Sequence, residues 1–461
     1  MEEQFKRIGK FYLADNMDLG LAGDLLFDKV NGVVIDLKED FEDADDYQNI
    51  IIFEDLNGQY ATLLYSTRID ELKWETAFAI DGYAFHHVNE LMFNSIIIGL
   101  KNLDNWLGIT GFIDRTERNG DRYSSVLIEY KKPDPINFKI DDKVAGKFVF
   151  GFRRPLRPMY NVNLVETVKV AISVNYQKSS LEEIINTIAN PDEMKFDDLL
   201  NYYVRFNNFL TVAFHQPTYP TSLSLLSHRV LMDDGTGKMR QKQLPLYYKL
   251  SIPAYDHKLI RPLFSYSDIG KQFNEIVQKW YSNYKGLEPV LNILFDTYYS
   301  DTPFNENKFL NISQAIETFH RRTRKNERIP KNESSKILKE IKESLSDRNY
   351  DFIKDKLFHA NEPTLHTRIE ELLSEFNTSI LSRLIPDREQ FIKDVKNSRN
   401  YYTHYDVSLE KKRLKLKELF YVTEKLKILL VCCILKETEF SMDMITSHFD
   451  RINYRYHYIP T

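Results

Sequence analysis

The chain contains 461 residues, of which 43% are hydrophobic and 28% charged, and its formal net charge at pH 7 is −5. This composition is that of a globular protein, so it excludes a disordered chain and allows two or three domains. The negative net charge argues against a protein coated with nucleic acid, although a local basic cleft can still bind a polyanion.

Cysteine usage and apolar runs indicate where such a chain resides. Cys432 and Cys433 are adjacent within an apolar run, which predicts buried thiols without a disulfide, in a reducing compartment. That run, 428–435, is far shorter than the roughly 20 residues that a spanning helix needs. The first residues also lack the apolar segment of a signal peptide. We therefore expect a cytoplasmic protein that makes no membrane contact.

Residues 1–178 have the pattern of a β-rich N-terminal domain. Short runs of branched and aromatic residues alternate with turn signals such as Asn57-Gly58, which is typical of a sandwich-like or barrel-like domain. The predicted strands cover 32–37, 60–66, 78–85, 95–100, 125–130, 147–152 and 169–176.

Residues 179–262 form a mixed helix and hairpin segment, which completes the β domain or is appended to it. Ser180 and Glu183 have the spacing of a capping box and predict a short helix, and Pro191 opens a longer one. Strands are then predicted at 222–227, 228–233 and 246–252, with a turn at 234–237.

Residues 263–461 are predicted to be all α, so the fold class of the whole chain is α+β. Apolar residues recur at helical spacing, and prolines at 303, 330, 363 and 386 separate the helices of a bundle. The predicted helices cover 268–285, 288–299, 311–323, 334–344, 364–376, 387–403 and 409–436.

The helix predicted at 387–403 carries the residues with the clearest chemical potential. Arg399 and Asn400 are followed by His404, and Lys396, Asn400 and His404 share a polar face at a spacing of four. Metal-free RNA cleavage needs groups that transfer protons and a cation that holds the charge on the phosphorane. Histidine and arginine have these properties, and Asn400 could orient either the imidazole or the phosphate.

The spacing of Arg399 and His404 raises a geometric question, because residues five apart on a helix point about 140° from each other. Three solutions are open: the helix deviates near Thr403, the arginine reaches around the helix, or two copies of the domain share a cleft. The competing interpretation is a solvated arginine and a histidine that the helix dipole favours at a C-terminus.

Further candidates lie in the predicted helix 311–323 and just beyond it. Glu317 and His320 are one turn apart and either join the site or form a local side-chain pair. The basic run that follows is either a phosphate-binding rim or a solvated helix end, and it contains Arg321, Arg322, Arg324 and Lys325. A second run, 411–417, has the same two interpretations, and the solvated face is favoured there.

The stretch 391–405, in which Arg399-Asn400 is followed by His404, resembles the motif helix of the HEPN domain in ApeA-type anti-phage defence proteins. Residues 314–322 are similar to an early helix of that domain. The β-rich half, including 9–13 and 20–32, is similar in layout to the ApeA N-terminal domain. The resemblance covers most of the chain and is strongest in the last third.

This resemblance implies a metal-independent endoribonuclease of abortive infection, in which an all-α HEPN domain cuts RNA with Arg399 and His404. It implies no metal and no other cofactor, a homodimer, and a phage-derived trigger that controls the cleft. Cellular RNA is the implied substrate, with tRNA as a candidate. The alternative is a non-catalytic HEPN-like sensor or scaffold that binds RNA or protein.

Overall fold

A computed structural model describes residues 4–41, 44–109, 112–119, 122–130, 134–151, 159–165, 169–175, 183–250, 261–300 and 303–460. The chain divides into two compact units, Met1–Asn274 and Glu275–Thr461. The α+β class predicted from the sequence is confirmed: the first unit is rich in strands and the second is helical.

A closed antiparallel barrel of six strands forms the first part of the N-terminal unit. Its strands are β1 (Gln4–Leu13), β2 (Asn16–Asp28), β3 (Gly32–Leu37), β4 (Tyr47–Asp55), β5 (Tyr60–Asp70) and β6 (Lys73–Asp81). They pair in the order β6-β3-β2-β1-β4-β5, and β5 pairs back with β6. Alternate side chains such as Phe11, Ile35, Leu63 and Trp74 are fully buried, so the barrel interior is a packed core.

The sheet continues beyond the barrel in the order β6-β18-β15-β7-β14-β11-β10. The remaining strands of this unit are β7 (Met92–Leu100), β8 (Phe112–Asn119), β9 (Arg122–Tyr130), β10 (Ile136–Lys139), β11 (Ala145–Gly151), β12 (Met159–Val165), β13 (Lys169–Asn175), β14 (Glu183–Lys195), β15 (Pro220–Leu226), β16 (Leu231–Asp233), β17 (Met239–Gln241) and β18 (Leu244–Tyr248). β8 pairs with β9, β12 with β13 and β16 with β17, each antiparallel. The turn predicted at 234–237 is confirmed as the connection of β16 to β17.

The α-helices in the described part of this unit are α1 (Leu103–Leu107), α2 (Phe196–Phe214) and α3 (Tyr266–Ile269). α2 contacts β7 and β14 through a buried apolar face. The prediction of a short helix after the capping box is wrong, because Glu183 begins β14. Ser180, the predicted cap, lies outside the described residues. β14 pairs with β7 on one side and β11 on the other, and this pairing outweighs a local capping signal.

The second unit consists of helices from α4 onward. These are α4 (Phe273–Tyr299), α5 (Glu306–Thr323), α6 (Lys331–Ser344), α7 (Asp347–Phe358), α8 (Leu365–Glu375), α9 (Ser379–Leu384), α10 (Arg388–His404), α11 (Leu416–Glu437) and α12 (Met442–Arg451). The four prolines predicted to separate helices each stand just before one, namely α5, α6, α8 and α10.

Two predicted helices, 268–285 and 288–299, lie mostly within the single helix α4, which begins at Phe273 and contains Pro289. Buried apolar residues continue on both sides of this proline, from Trp280 and Tyr284 to Val290 and Leu294. Tertiary packing therefore overrides the local cost of the missing backbone donor.

α11 is the central helix of the second unit and contacts α5, α8, α9, α10 and α12. Every residue from Ile428 to Leu435 is buried, and Cys432 and Cys433 are free buried thiols, as predicted. α11 begins at Leu416 rather than near residue 409, because Val407–Lys412 form a 3₁₀ turn. In the described ranges, no helix combines the length and apolarity that crossing a membrane requires.

Candidate functional site

Helix α10 is fixed at both ends by local interactions. At its start the carboxylate of Asp387 accepts a hydrogen bond from the Gln390 backbone N–H at 2.9 Å, the cap predicted from the sequence. At its end Tyr405 adopts a left-handed conformation with φ of 51°. The helix is regular up to His404, so the predicted solution in which it deviates near Thr403 is wrong.

Three polar side chains lie near the C-terminal end of α10. The Arg399 side chain is 36% exposed, Asn400 is half-buried and His404 is exposed. Arg399 Nη1 donates to Asn400 Oδ1 at 3.4 Å, and Asn400 lies one helical turn before His404. The guanidinium therefore contacts Asn400, which shares a polar face of α10 with His404, and Lys396 is exposed one turn earlier on that face.

Glu317 of the neighbouring helix α5 faces Arg399. Its Oε2 lies 3.7 Å from Arg399 Nη2, and its Oε1 lies 3.7 Å from Arg321 Nη2. At this separation the carboxylate balances charge without a short hydrogen bond. A phosphate group approaching Arg399 therefore meets an arginine that is partly neutralised and still accessible to solvent.

His320 is placed differently, because it is fully buried and both ring nitrogens have partners. Nε2 lies 2.6 Å from Glu371 Oε2, and Nδ1 lies 3.0 Å from Arg368 Nη1. Arginine offers only donors, so Nδ1 must accept and the ring proton must be on Nε2. Burial, and then the adjacent Arg368 charge, lowers the pKa of His320, against the opposing effect of Glu371. The local pair with Glu317 is not formed; His320 belongs to a buried polar network.

The basic run after His320 is largely engaged within the domain. Arg324 Nη2 lies 2.7 Å from Glu375 and its Nη1 lies 2.8 Å from Glu437, and this side chain is only 23% exposed. Arg321 pairs with Glu362 at 2.9 Å, Arg322 Nη1 donates to the Gly286 carbonyl at 2.9 Å, and Lys325 is exposed. Most of these guanidinium groups therefore hold helices together in this structure.

A set of anchoring contacts at the end of α10 was not found from the sequence. Ser398 Oγ accepts from the Leu414 backbone N–H at 3.0 Å, and Tyr402 Oη donates to the Leu414 carbonyl at 2.8 Å. Arg413 Nη1 donates to Tyr402 Oη at 2.8 Å, and its guanidinium lies 4.7 Å from the Tyr401 ring centroid. The available signal was a serine at an apolar-face position, seven residues after Phe391. These contacts fix the segment that follows His404.

Comparison with protein-family models gives two matches, which together span most of the chain. ApeA N-terminal domain 1 matches residues 6–280, more than half of the chain, and Apea-like HEPN matches residues 310–444. The chain belongs to the ApeA family. The barrel of this ApeA chain lies almost wholly within the first match, and α10 with its Arg399-Asn400 and His404 lies within the second. Comparison with the curated proteins and with the solved structures gave no match.

Membership of the ApeA family places the chain in anti-phage defence. Its C-terminal HEPN domain is of a type that is generally associated with ribonucleases. Among the described residues of this ApeA chain, no group of three His, Cys, Asp or Glu side chains is arranged to hold a metal ion.

Proposed function

We propose that this ApeA chain is an endoribonuclease that cleaves cellular RNA without a metal ion, using Arg399 and His404. The observation that supports the proposal is the accessibility of both groups at one end of α10. Arg399 is 36% exposed and turned toward Asn400, and His404 is exposed one turn beyond Asn400.

The chemistry follows from the properties of the two groups. The ribose O2′ attacks phosphorus, the bond from phosphorus to O5′ breaks, and a 2′,3′-cyclic phosphate and a 5′-hydroxyl are formed. Arg399 binds the non-bridging oxygens, where charge increases in the transition state, because its planar fork matches phosphate geometry. His404 transfers a proton, either from the 2′-hydroxyl or to the leaving O5′.

Two proton transfers are needed, and the motif of one copy holds one histidine. A homodimer that places two motifs at one cleft would supply a base and an acid. It would also bring an arginine and a histidine together although Arg399 and His404 point about 140° apart on α10. We include this homodimer in the proposal, together with tRNA as the candidate substrate and a phage-derived trigger that raises a basal activity of the cleft. Displacement of Glu317 from Arg399 by RNA phosphate would accompany substrate binding.

The decisive experiment incubates the purified chain with total RNA in EDTA. We expect the unaltered chain to cleave, and His404→Ala to lower the rate by about 100-fold or more, the usual contribution of a general acid or base. His366→Ala is the matched control, since His366 is a partly exposed histidine on α8, and it should cleave like the unaltered chain.

Equal cleavage by the unaltered chain and His404→Ala would contradict the proposal. Binding of RNA with no cleavage under any condition would favour the non-catalytic sensor or scaffold. Light scattering that shows a monomer at every working concentration would contradict the homodimer.

A further inference from the structure

The segment that follows His404 connects α10 to α11 and carries an unusual concentration of positive charge. Residues 405–417 hold five basic and two acidic residues, in a chain whose net charge is −5. We use the name basic strip for Tyr405 and the four lysines of this segment, Lys411, Lys412, Lys415 and Lys417, all of which are exposed. The two acidic residues, Asp406 and Glu410, are exposed beside them, so the lysines and Arg413 leave a net charge of +3.

The basic strip is held in place from its inner side. Leu414 is bound through its backbone N–H and carbonyl to Ser398 and Tyr402, both of which are buried on α10. Arg413 is turned inward onto Tyr401 and Tyr402. Because Arg413 and Leu414 are fixed, the lysines on either side of them face solvent from an ordered segment. A cationic surface arranged before binding loses less conformational entropy when a ligand arrives.

Tyr405 is the aromatic member of the basic strip, and it follows His404 directly. It is 65% exposed, and its ring contacts Tyr401 edge-on, with centroids 5.6 Å apart and planes at 64°. It also occupies a left-handed position where helices usually end in glycine or asparagine. A bulky residue held in this conformation marks a position where function competes with backbone preference.

We infer that the basic strip binds single-stranded RNA, with an unpaired base stacked on Tyr405 and the neighbouring phosphates against the lysines. The inference builds on the proposed ribonuclease site, which the strip adjoins through His404. An exposed aromatic ring beside a cationic track is how proteins hold unpaired nucleotides, whose bases are free to stack. The bases of a duplex are not available to a single exposed ring.

A second copy of the chain is the competing occupant, and the charges argue against it. In a twofold dimer the same surface meets itself, so the lysines of one copy would face those of the other. Like charges in contact destabilise an interface, whereas a polyanion is attracted to them.

The test measures RNA binding in a protein that cannot cut its ligand. His404→Ala serves as the parent, in EDTA, and fluorescence anisotropy follows a labelled 12-nucleotide single strand and a 12-base-pair RNA duplex over a range of NaCl concentrations. The parent should bind the single strand more tightly than the duplex.

Two sets of changes separate stacking from charge. Tyr405→Asn suits the left-handed position and should weaken single-strand binding about 10-fold, with an unchanged salt dependence. The combined change of Lys411, Lys412, Lys415 and Lys417 to Gln should reduce the slope of log affinity against log salt by up to about 3, since each phosphate contact contributes about 0.7. Tyr405→Phe keeps the ring and should bind like the parent.

The matched control removes four exposed lysines from α6 and α7, by changing Lys336, Lys339, Lys342 and Lys354 to Gln. It should leave both affinity and salt slope unchanged.

If the Tyr405→Asn variant and the lysine variant bind RNA as the parent does, the inference is overturned, even if the unaltered chain cleaves RNA. Conversion of a dimer to a monomer by the strip variants would also overturn it, because a second copy would then be the occupant. Strip-dependent binding by a chain that never cleaves would contradict the proposed ribonuclease and leave the strip as an RNA-binding surface.

Discussion

Two basic runs of the HEPN domain look alike in sequence but use their charge differently. In 320–325, at the end of α5, Arg324 bridges Glu375 and Glu437, and Arg321 pairs with Glu362. In 411–417, only Arg413 is turned inward, and the lysines face solvent. The first run joins helices of the bundle, and the second presents an open cationic surface.

The same contrast separates the two histidines of greatest interest. His320 is fully buried, with a partner on each ring nitrogen, whereas His404 is exposed at the end of α10. A charged or titratable residue that is buried among close partners is thus less available for chemistry than one that stays exposed to solvent. Mutations on each side of this division should have different effects on stability and on RNA cleavage.

The largest expected effect is a loss of stability on mutation of Arg368, a buried structural residue. This guanidinium is fully buried and binds His320 Nδ1 at 3.0 Å and Asn326 Oδ1 at 2.6 Å. Arg368→Ala leaves those groups unsatisfied, so we expect the free energy of unfolding to fall by about 3–5 kcal/mol. Urea unfolding followed by helical circular dichroism measures it.

Arg348→Ala, on the exposed surface of α7, is the control for that measurement and should change stability by less than about 0.5 kcal/mol. If Arg368→Ala were as stable as this control, the buried network would not support the bundle.

The second effect is a loss of RNA cleavage on mutation of Arg399, which is accessible to solvent. Arg399→Ala removes the phosphate-binding cation, so we expect the RNA cleavage rate in EDTA to fall about 100-fold or more. The stability should change little, because Arg399 contacts Glu317 only at 3.7 Å. Arg399→Lys keeps the charge without the planar fork, so its cleavage rate should lie between those of the unaltered chain and Arg399→Ala. A normal rate for Arg399→Ala would remove Arg399 from the proposed mechanism.

Sequence patterns predicted the longest helices of the second unit and the α10 cap, because these depend on local signals such as proline, Asp387 and Gln390. They missed α7, α9 and α12. Of the barrel strands they also missed β1, β2 and β4, and the glycines of β1 and β2 give the reason for those two. A Cβ on Gly9 would lie 2.1 Å from the Glu54 carbonyl oxygen, and one on Gly23 would lie 2.7 Å from that of Asp36. The barrel needs these close approaches between strands, but glycine weakens the local strand signal.

For the candidate site, sequence patterns found the residue types but not their partners. Glu371 lies 51 residues from His320, and Glu437 lies 113 residues from Arg324. Pairings at such separations leave no local pattern, so a run of basic residues cannot be divided into engaged and exposed members before the fold is known.

A smaller effect is expected at Arg324, which sequence patterns could assign either to RNA binding or to the helix end. Arg324→Gln loses charged hydrogen bonds to Glu375 and Glu437, so we expect the free energy of unfolding to fall by about 1.5 kcal/mol. Binding of single-stranded RNA by the folded variant should equal that of its parent in the anisotropy assay. A loss of binding with unchanged stability would instead place Arg324 on an RNA-binding rim.

The smallest effect is a pH dependence of stability that arises from His320. Burial lowers the pKa of His320 in the folded state, whereas an unfolded histidine titrates near 6.5. Below that pH the unfolded state binds a proton that the folded state excludes. The free energy of unfolding is therefore highest above pH 6.5, and the contribution of neutral His320 to it is lost as the pH falls. One histidine can change the free energy of unfolding by at most about 1.4 kcal/mol between pH 7.5 and pH 5.5.

The variant His320→Gln tests this, because glutamine can still accept from Arg368 and donate to Glu371 but does not titrate. Its urea midpoint should therefore vary less over this pH range. A fall in stability that is equally steep in the variant would mean that other groups cause it, and that His320 is not held neutral by its burial.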